Sequence, residues 1–98
     1  MAIQLGDRIE LENFNNLEPG EMTILKKMIG NHANKFRDFT KLSLHLKDVH
    51  KTEKRQKFQI DAKLEINGKY YESESTNFNL FFGITEVLDS LKSQIDKN

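Results

Sequence analysis

The residues best suited to binding chemistry lie in a basic segment at the centre of the chain, Lys47 to Lys57. This segment contains five lysine or arginine residues against two acids. Basic side chains bind the phosphates of nucleic acids and gain affinity by releasing condensed counterions. The segment therefore indicates a site for a polyanion such as RNA. A solvated loop between two strands would have the same composition, so charge alone leaves both interpretations open.

The charge distribution favours a local basic patch on a neutral protein. The net charge is zero, yet residues 26–71 contain twelve lysine or arginine residues against five acids. Residues 1–25 and 72–98 each carry an excess of acids. Such segregation can create a positive patch without a positive total. Further basic residues flank the segment in the predicted sheet and first helix: Lys26, Lys27, Lys35, Arg37, Lys41, His45 and Lys63.

Aromatic residues that could stack on unpaired bases are not predicted beside this patch. Tyr70 is the one aromatic residue that the strand pattern directs towards solvent. Phe78, Phe81 and Phe82 cluster at the start of the last helix, whose apolar stripe requires only Phe81. We expect the three to be core residues; exposure of Phe78 or Phe82 would instead mark a partner contact. Base stacking is therefore weakly supported.

Signatures of catalysis and of metal binding are missing from the sequence. The five glycines are scattered, so there is no phosphate loop, and the chain has no cysteine nucleophile and no Gly-x-Ser-x-Gly motif. His32, His45 and His50 lack the paired spacing of zinc ligands. We expect a binding protein with no catalytic residue, metal, cofactor or small-molecule substrate.

Length and hydropathy predict a single cytoplasmic domain. Ninety-eight residues can close one hydrophobic core, so residues 1–98 are interpreted as one domain. The apolar run Leu80 to Ile84 is too short to span a membrane. Asp7 and Arg8 stand where a signal peptide would be apolar. The lack of cysteine agrees with a cytoplasmic location.

The apolar periodicity predicts the elements that position these side chains. Residues 8–12 alternate as a short strand, and a helix is expected to begin near Pro19. Alternation over residues 42–46 and 58–66 predicts two strands, which the basic segment connects. Asn67-Gly68 is typical of a type I′ turn, so a returning strand should follow it.

A final helix, capped by Asn77 or Asn79, completes the order β-α-β-β-β-α. Each of the last three strands has one polar face, which is typical of a sheet with helices on one side. The predicted fold is therefore α+β, with a four-stranded, mainly antiparallel sheet and two helices packed on one face.

The second half of the chain resembles the ribosome hibernation-promoting factors. Members of that family share the long alternating strand, the hairpin, the returning strand and an aromatic-led helix. The resemblance is most specific in residues 79–95, where Phe81 takes a tyrosine position and Gly83 that of a small residue. Leu91, Gln94 and Ile95 match a Leu-x-x-Gln-Leu-like ending. These are packing positions, so they support the fold more directly than the function.

The resemblance implies a protein that binds the small ribosomal subunit near its decoding channel. It would block mRNA and tRNA while translation is idle, as in a stress response. In the family, basic residues from both helices and the adjoining strands hold ribosomal RNA; Lys35 matches one such position, and Lys92 lies in the final helix. Ser90 and Ser93 depart from this pattern, so we expect the central basic segment to make the main contact.

The candidate RNA-binding residues are Lys26, Lys27, Lys35, Lys41, Lys47, Lys51, Lys54, Arg55, Lys57, Lys63 and Lys92. Zero net charge leaves a second hypothesis open. In it, the chain is a protein-interaction or regulatory module that keeps the fold but has lost ribosome binding.

Overall fold

A computed structural model describes residues 2–14, 17–36, 38–51 and 56–97. Within these ranges the chain forms five strands and two helices, which confirms the predicted α+β class. The elements are β1 Ala2–Leu5, β2 Ile9–Glu12, α1 Pro19–Ala33, β3 Lys41–Lys51, β4 Gln56–Ile66, β5 Lys69–Asn77 and α2 Leu80–Asp96.

The described strands form one sheet in the order β1-β2-β3-β4-β5. β2 and β3 are parallel, since α1 carries the chain from the end of one back to the start of the other, and the other neighbours are antiparallel. The prediction of four strands was wrong because it missed β1. Four residues are too few for alternation to distinguish a strand from a loop.

The turn between β4 and β5 follows directly from its two residues. Asn67 has a φ of 50° and Gly68 a φ of 80°, so both adopt the left-handed conformation that a type I′ turn requires. Asparagine and glycine tolerate this conformation better than other residues. The turn sets the register in which Ile66 faces Lys69 and Leu64 faces Tyr71. The predicted hairpin is confirmed.

β3 and β4 extend into the segment that was predicted to be a loop. β3 continues to Lys51 and β4 begins at Gln56, and His50 is paired with Lys57. The register shifts between Lys47 and His50, which leaves one extra residue in β3, as in a β-bulge. The interpretation of this segment as a loop was wrong for residues 47–51 and 56–57, because charge indicates exposure and does not exclude a strand; residues 52–55 lie outside the described part.

Both helices begin at identifiable caps. In α1 the Glu18 N–H donates to the Glu21 carboxylate at 3.1 Å, ahead of Pro19 in the first turn. In α2 the Asn79 side chain accepts the Phe82 N–H at 3.1 Å. Asn77 supports this cap, since its side-chain oxygen accepts the Asn79 N–H at 2.9 Å.

One hydrophobic core lies between the sheet and the two helices. The inner sheet face contributes buried alternating residues of β2, β3 and β4, and each helix contributes one buried stripe. Fully buried members include Leu11, Leu25, Ile29, Leu42, Leu44, Ile60, Leu64, Ile84, Leu88 and Leu91. Helices on one face leave the other sheet face open, as predicted. Neither described helix has the length and apolar character needed to cross a membrane.

Candidate nucleic-acid interface

The open face of the sheet holds four of the predicted RNA-binding lysines. Lys41, Lys47, Lys57 and Lys63 alternate with residues that point into the core, and all four are exposed. The fold therefore brings them to one side of the molecule. Their surroundings differ from one end of this face to the other.

Two of these lysines are paired with acids from neighbouring strands. The Lys47 ammonium lies 2.7 Å from an Asp61 oxygen, and the Lys41 ammonium lies 3.5 Å from a Glu10 oxygen. Lys63 instead lies over the Tyr70 ring, 4.8 Å from its centroid. Exposed ion pairs contribute about 0–1 kcal/mol to stability, so a polyanion could displace them at small energetic expense. They nevertheless reduce the local positive potential.

Acids outnumber lysines on the open face, and their positions follow from strand register. In one row Glu10 is next to Ser43, Ser43 next to Lys63, and Lys63 next to Glu72. The described open-face acids are Glu10, Glu12, Asp61, Glu65, Glu72 and Glu74. All six lie in the three rows nearest the Asn67-Gly68 turn.

The opposite end of the open face has a different character. The row of Lys47, Gln59 and Thr76 contains no acid, and beyond it Lys57 lies beside Phe78. We call the end of the β3–β4 hairpin that includes Lys47 and Lys57 the hairpin end. Of the remaining predicted residues here, Lys51 has its backbone in β3 but its side chain outside the described part. Lys54 and Arg55 lie outside the described residues.

The lysines of the first helix belong to another surface. Lys26 and Lys27 are exposed on α1, and Lys35 is exposed just after it. Since α1 covers the inner face of the sheet, these residues lie on the helical side of the molecule. The described candidates are thus divided between the open face, its hairpin end, α1 and, for Lys92, α2.

The final helix presents mainly acids. Lys92 is bonded to Asp96 at 2.7 Å, while Glu86 and Asp89 are exposed. Side-chain hydrogen bonds from Asn77 and Ser75, each 2.9 Å long, lower the pKa of the Glu86 carboxyl below its ordinary value of 4.5. Glu86 therefore stays ionised at neutral pH and keeps this side of α2 negative.

Two phenylalanines expected in the core are exposed. Phe82 is 64% exposed and Phe78 is 48% exposed, whereas Phe81 is partly buried against the core. The expectation that Tyr70 would be the one solvent-facing aromatic was wrong. At about 100° per residue, Phe82 lies about 160° around α2 from the buried Leu80 and points away from the sheet, whereas Phe81 lies at the edge of the buried stripe. That spacing was the available signal for exposure of Phe82.

Lys57 and Phe78 form a cation–π contact at the hairpin end. The Lys57 ammonium lies 5.2 Å from the centroid of the Phe78 ring. Such contacts contribute about 0.5–1 kcal/mol at exposed sites. The pair lies where β5 leads into α2, and Phe82 follows four residues after Phe78, in the first turn of α2.

The described residues offer no group of histidines and acids arranged to hold a metal ion. His45 lies on the open face, 3.8 Å from a Glu12 oxygen. His32 lies between the helices, 3.9 Å from an Asp89 oxygen. The backbone of His50 belongs to β3, where it is paired with Lys57.

Comparisons with known proteins relate the fold to ribosome-associated proteins. No family model and no curated protein sequence matches the chain. Among solved structures, a ribosomal subunit interface protein from Coxiella burnetii matches with a TM-score of 0.65 at 11% identity, covering 92% of each chain. The chain has the fold of the ribosome hibernation-promoting factors.

A second structure supports the same conclusion. The N-terminal domain of Protein Y from Thermus thermophilus matches with a TM-score of 0.55 at 14% identity, over 92% of this chain and 93% of that one. Both relatives are hibernation-promoting factors, so the resemblance in fold is confirmed. At these identities the likeness concerns the fold.

The residues that carried the sequence resemblance have packing roles in this hibernation-factor fold. Gly83 is buried where α2 approaches β4, and Leu91 is buried in the core. Gln94 donates to the Glu72 carbonyl at 2.8 Å and so ties α2 to β5. Phe81 and Ile95 are partly buried at the edge of the core.

Proposed function

We propose that this protein binds the ribosome without catalysing a reaction and silences translation by occupying the decoding region of the small subunit. The observation that carries the proposal is the fold, which the chain shares along 92% of its length with a ribosomal subunit interface protein. Its partner would be ribosomal RNA of the small subunit, which implies a cytoplasmic location.

The charge distribution favours particular surfaces for the RNA contact. RNA phosphates are repelled by the acids near the Asn67-Gly68 turn and by those on α2. The hairpin end has Lys47 and Lys57 without an acid in the same described rows, and the sequence adds Lys51, Lys54 and Arg55 between them. We therefore assign the main phosphate contacts to the hairpin end, with Lys26 and Lys27 of α1 as a second group.

Co-sedimentation of the purified protein with small ribosomal subunits across a salt series tests the proposal. We expect binding at low salt that weakens as the salt concentration rises, since phosphate contacts release counterions. Absence of binding at low salt would refute it. A short mRNA should compete for the subunit; binding that is equal with and without mRNA would contradict occupation of the decoding region.

Charge reversal locates the contact. Lys57→Glu should weaken binding and lower the slope of log affinity against log salt by about one unit, as for the loss of one phosphate contact. Lys69→Glu is the matched control, because it makes the same charge change on an exposed lysine. Lys69 lies beside the Asn67-Gly68 turn, at the end of the β4–β5 pair that is opposite to Lys57. Equal effects of the two substitutions would argue against the hairpin end.

A protein-interaction or regulatory module on the same fold is the second candidate. The ion pairs of Lys41 and Lys47 and the exposure of Phe82 favour it. This function predicts a partner that stays bound at high salt and after nuclease treatment. Loss of the complex under either condition would instead favour RNA.

A further inference from the structure

Three side chains meet the solvent where β5 leads into α2: Lys57, Phe78 and Phe82. We call this part of the surface the β5–α2 corner. Phe78 follows the last residue of β5, and Phe82 lies in the first turn of α2, so the two aromatics bracket the Asn79 cap. Lys57 reaches over the Phe78 ring from β4. The corner thus combines two exposed aromatic side chains with a positive charge.

Exposure of these aromatics follows from the way the fold is assembled. Gly83 and Ile84 lie on the buried face of α2. Phe82 lies on the opposite side of the helix and so faces solvent. The cap fixes the backbone, since the Phe82 N–H is bonded to Asn79 and the Asn79 N–H to Asn77. Phe82 is therefore held by a capped helix with its side chain pointing away from the core.

The chemistry of the corner matches that of an unpaired nucleotide. Every base has an apolar π face that can stack on a phenylalanine ring, and a lysine beside the ring can bind the adjoining phosphate. Lys57 is exposed and already lies 5.2 Å from the centre of one ring. Stacking of this kind tolerates any base sequence, because it reads no hydrogen-bonding edge.

The charges around the corner favour RNA over an apolar protein partner. At the hairpin end, to which Lys57 belongs, Lys47 and Lys57 are exposed and the described row of Lys47, Gln59 and Thr76 contains no acid. The Glu86 carboxylate, one turn after Phe82 in α2, is negative and bonded to Ser75 and Asn77, so the phosphate contact falls on the Lys57 side of the corner. A partner here meets aromatic surface next to positive charge, which complements a single-stranded polyanion.

We infer that the β5–α2 corner is a stacking platform for unpaired RNA bases, with Phe82 and Phe78 as the stacking surfaces and Lys57 as the phosphate contact. This inference rests on the proposed function and deepens it, because it identifies single-stranded rather than duplex ribosomal RNA as the ligand of this surface.

Binding of a fluorescent single-stranded RNA of about 12 nucleotides, followed by anisotropy, tests the inference. Phe82→Ala should weaken binding about fivefold or more, and Phe82→Trp should retain it, because a base–aromatic stack depends on the ring. Phe82→Leu should lose as much as Phe82→Ala. The matched control is Ile24→Ala, which removes an exposed apolar side chain, 58% accessible, from α1 and should leave affinity unchanged.

Four results would overturn the stacking platform. The first two are wild-type affinity in Phe82→Ala and Phe78→Ala together, and no binding of the single strand by the wild-type protein. The third is full retention of binding by Phe82→Leu, which would mean a general apolar contact, and the fourth concerns the ribosome. If Phe82→Ala reduces ribosome binding but not oligonucleotide binding, the corner contacts a ribosomal protein and the inference is wrong.

The same variants separate this inference from the proposed function. If the protein sediments with small subunits but substitutions of Phe82 do not change its affinity for the oligonucleotide, the stacking platform is refuted and the proposed function stands. Conversely, ring-dependent oligonucleotide binding by a protein that does not sediment with small subunits would support the platform and refute the ribosomal role.

Discussion

Replacing Gly83 with alanine should destabilise the protein, because α2 lies unusually close to β4 at this residue. An added Cβ would lie 2.6 Å from the Ile60 Cδ1 atom and 3.5 Å from the Asn77 Cβ atom. Carbon atoms in contact prefer a separation of about 3.5–4.0 Å. The Ile60 side chain is fully buried, so it has little room in which to move away.

The expected magnitude is the balance of two opposing effects. Overpacking a core costs about 1–3 kcal/mol, whereas alanine in place of glycine within a helix gains about 1 kcal/mol. We therefore expect Gly83→Ala to lose about 1 kcal/mol of unfolding free energy. Gly30 of α1 provides the matched control, since a Cβ there would meet no atom within 4 Å. Gly30→Ala should gain up to about 1 kcal/mol.

Urea unfolding followed by helical ellipticity measures both variants, with the free energy taken from the midpoint and slope. Thermal midpoints should move in the same directions, by about 4–8 °C per kcal/mol for a domain of this size. A double-mutant cycle with Ile60→Val then isolates the contact, because this change removes the Cδ1 atom. Alone, Ile60→Val should cost about 0.5–1.5 kcal/mol. In the Gly83→Ala protein it should cost less or be stabilising.

The reasoning would be refuted if Gly83→Ala were as stabilising as Gly30→Ala. It would also fail if Ile60→Val had the same effect in both backgrounds, since the two substitutions would then be energetically independent.

Further predictions concern caps, turns and ionisation. Asn79→Ala should destabilise the fold by about 1 kcal/mol in urea unfolding, while Asn79→Asp, which keeps an acceptor oxygen, should lose much less. Gly68→Ala should cost about 1–2 kcal/mol, because its φ of 80° is strained for alanine, and full wild-type stability would contradict the type I′ turn. Hydrogen bonds from Asn77 and Ser75 lower the pKa of Glu86. The contribution of ionised Glu86 to folding stability should therefore be complete above pH 4.5 and disappear as the pH falls through the lowered pKa. The stability difference between wild type and Glu86→Gln should therefore narrow on acidification, and a pH-independent difference would exclude this linkage.

Much of the fold was predictable because local patterns and tertiary structure agree. Alternating leucines in β3 and the Asn67-Gly68 turn each specify one conformation, and the helical stripe of α2 is buried as expected. β1 was missed because its stability comes from pairing with β2 in the sheet rather than from its own four residues. The extension of β3 to Lys51 was missed for a related reason, since pairing with β4 overrides the polar composition.

The candidate site was predictable in composition but not in arrangement. Lys41 and Lys63 lie in the sheet as predicted, yet Lys41 pairs with Glu10, which is 31 positions away in the chain. A count of charges along the sequence cannot include partners brought together by a parallel strand pair. Exposure of Phe82 follows from its position opposite the buried stripe of α2, a signal in the helical spacing that the expectation of a core residue did not use.

β5 lies at one edge of the described sheet, where its backbone could pair with another chain. Antiparallel pairing of two copies of β5 centred on Ser73 would set Glu72 of each copy opposite Glu74 of the other. Shifting the centre to Glu72 or to Glu74 would bring identical glutamates face to face. Like charges directly opposite each other destabilise a strand pair, and Gln94 already occupies the Glu72 carbonyl. The acids that weaken this face for RNA thus protect the protein from edge-to-edge aggregation, and they keep neighbouring molecules apart even though the net charge is zero.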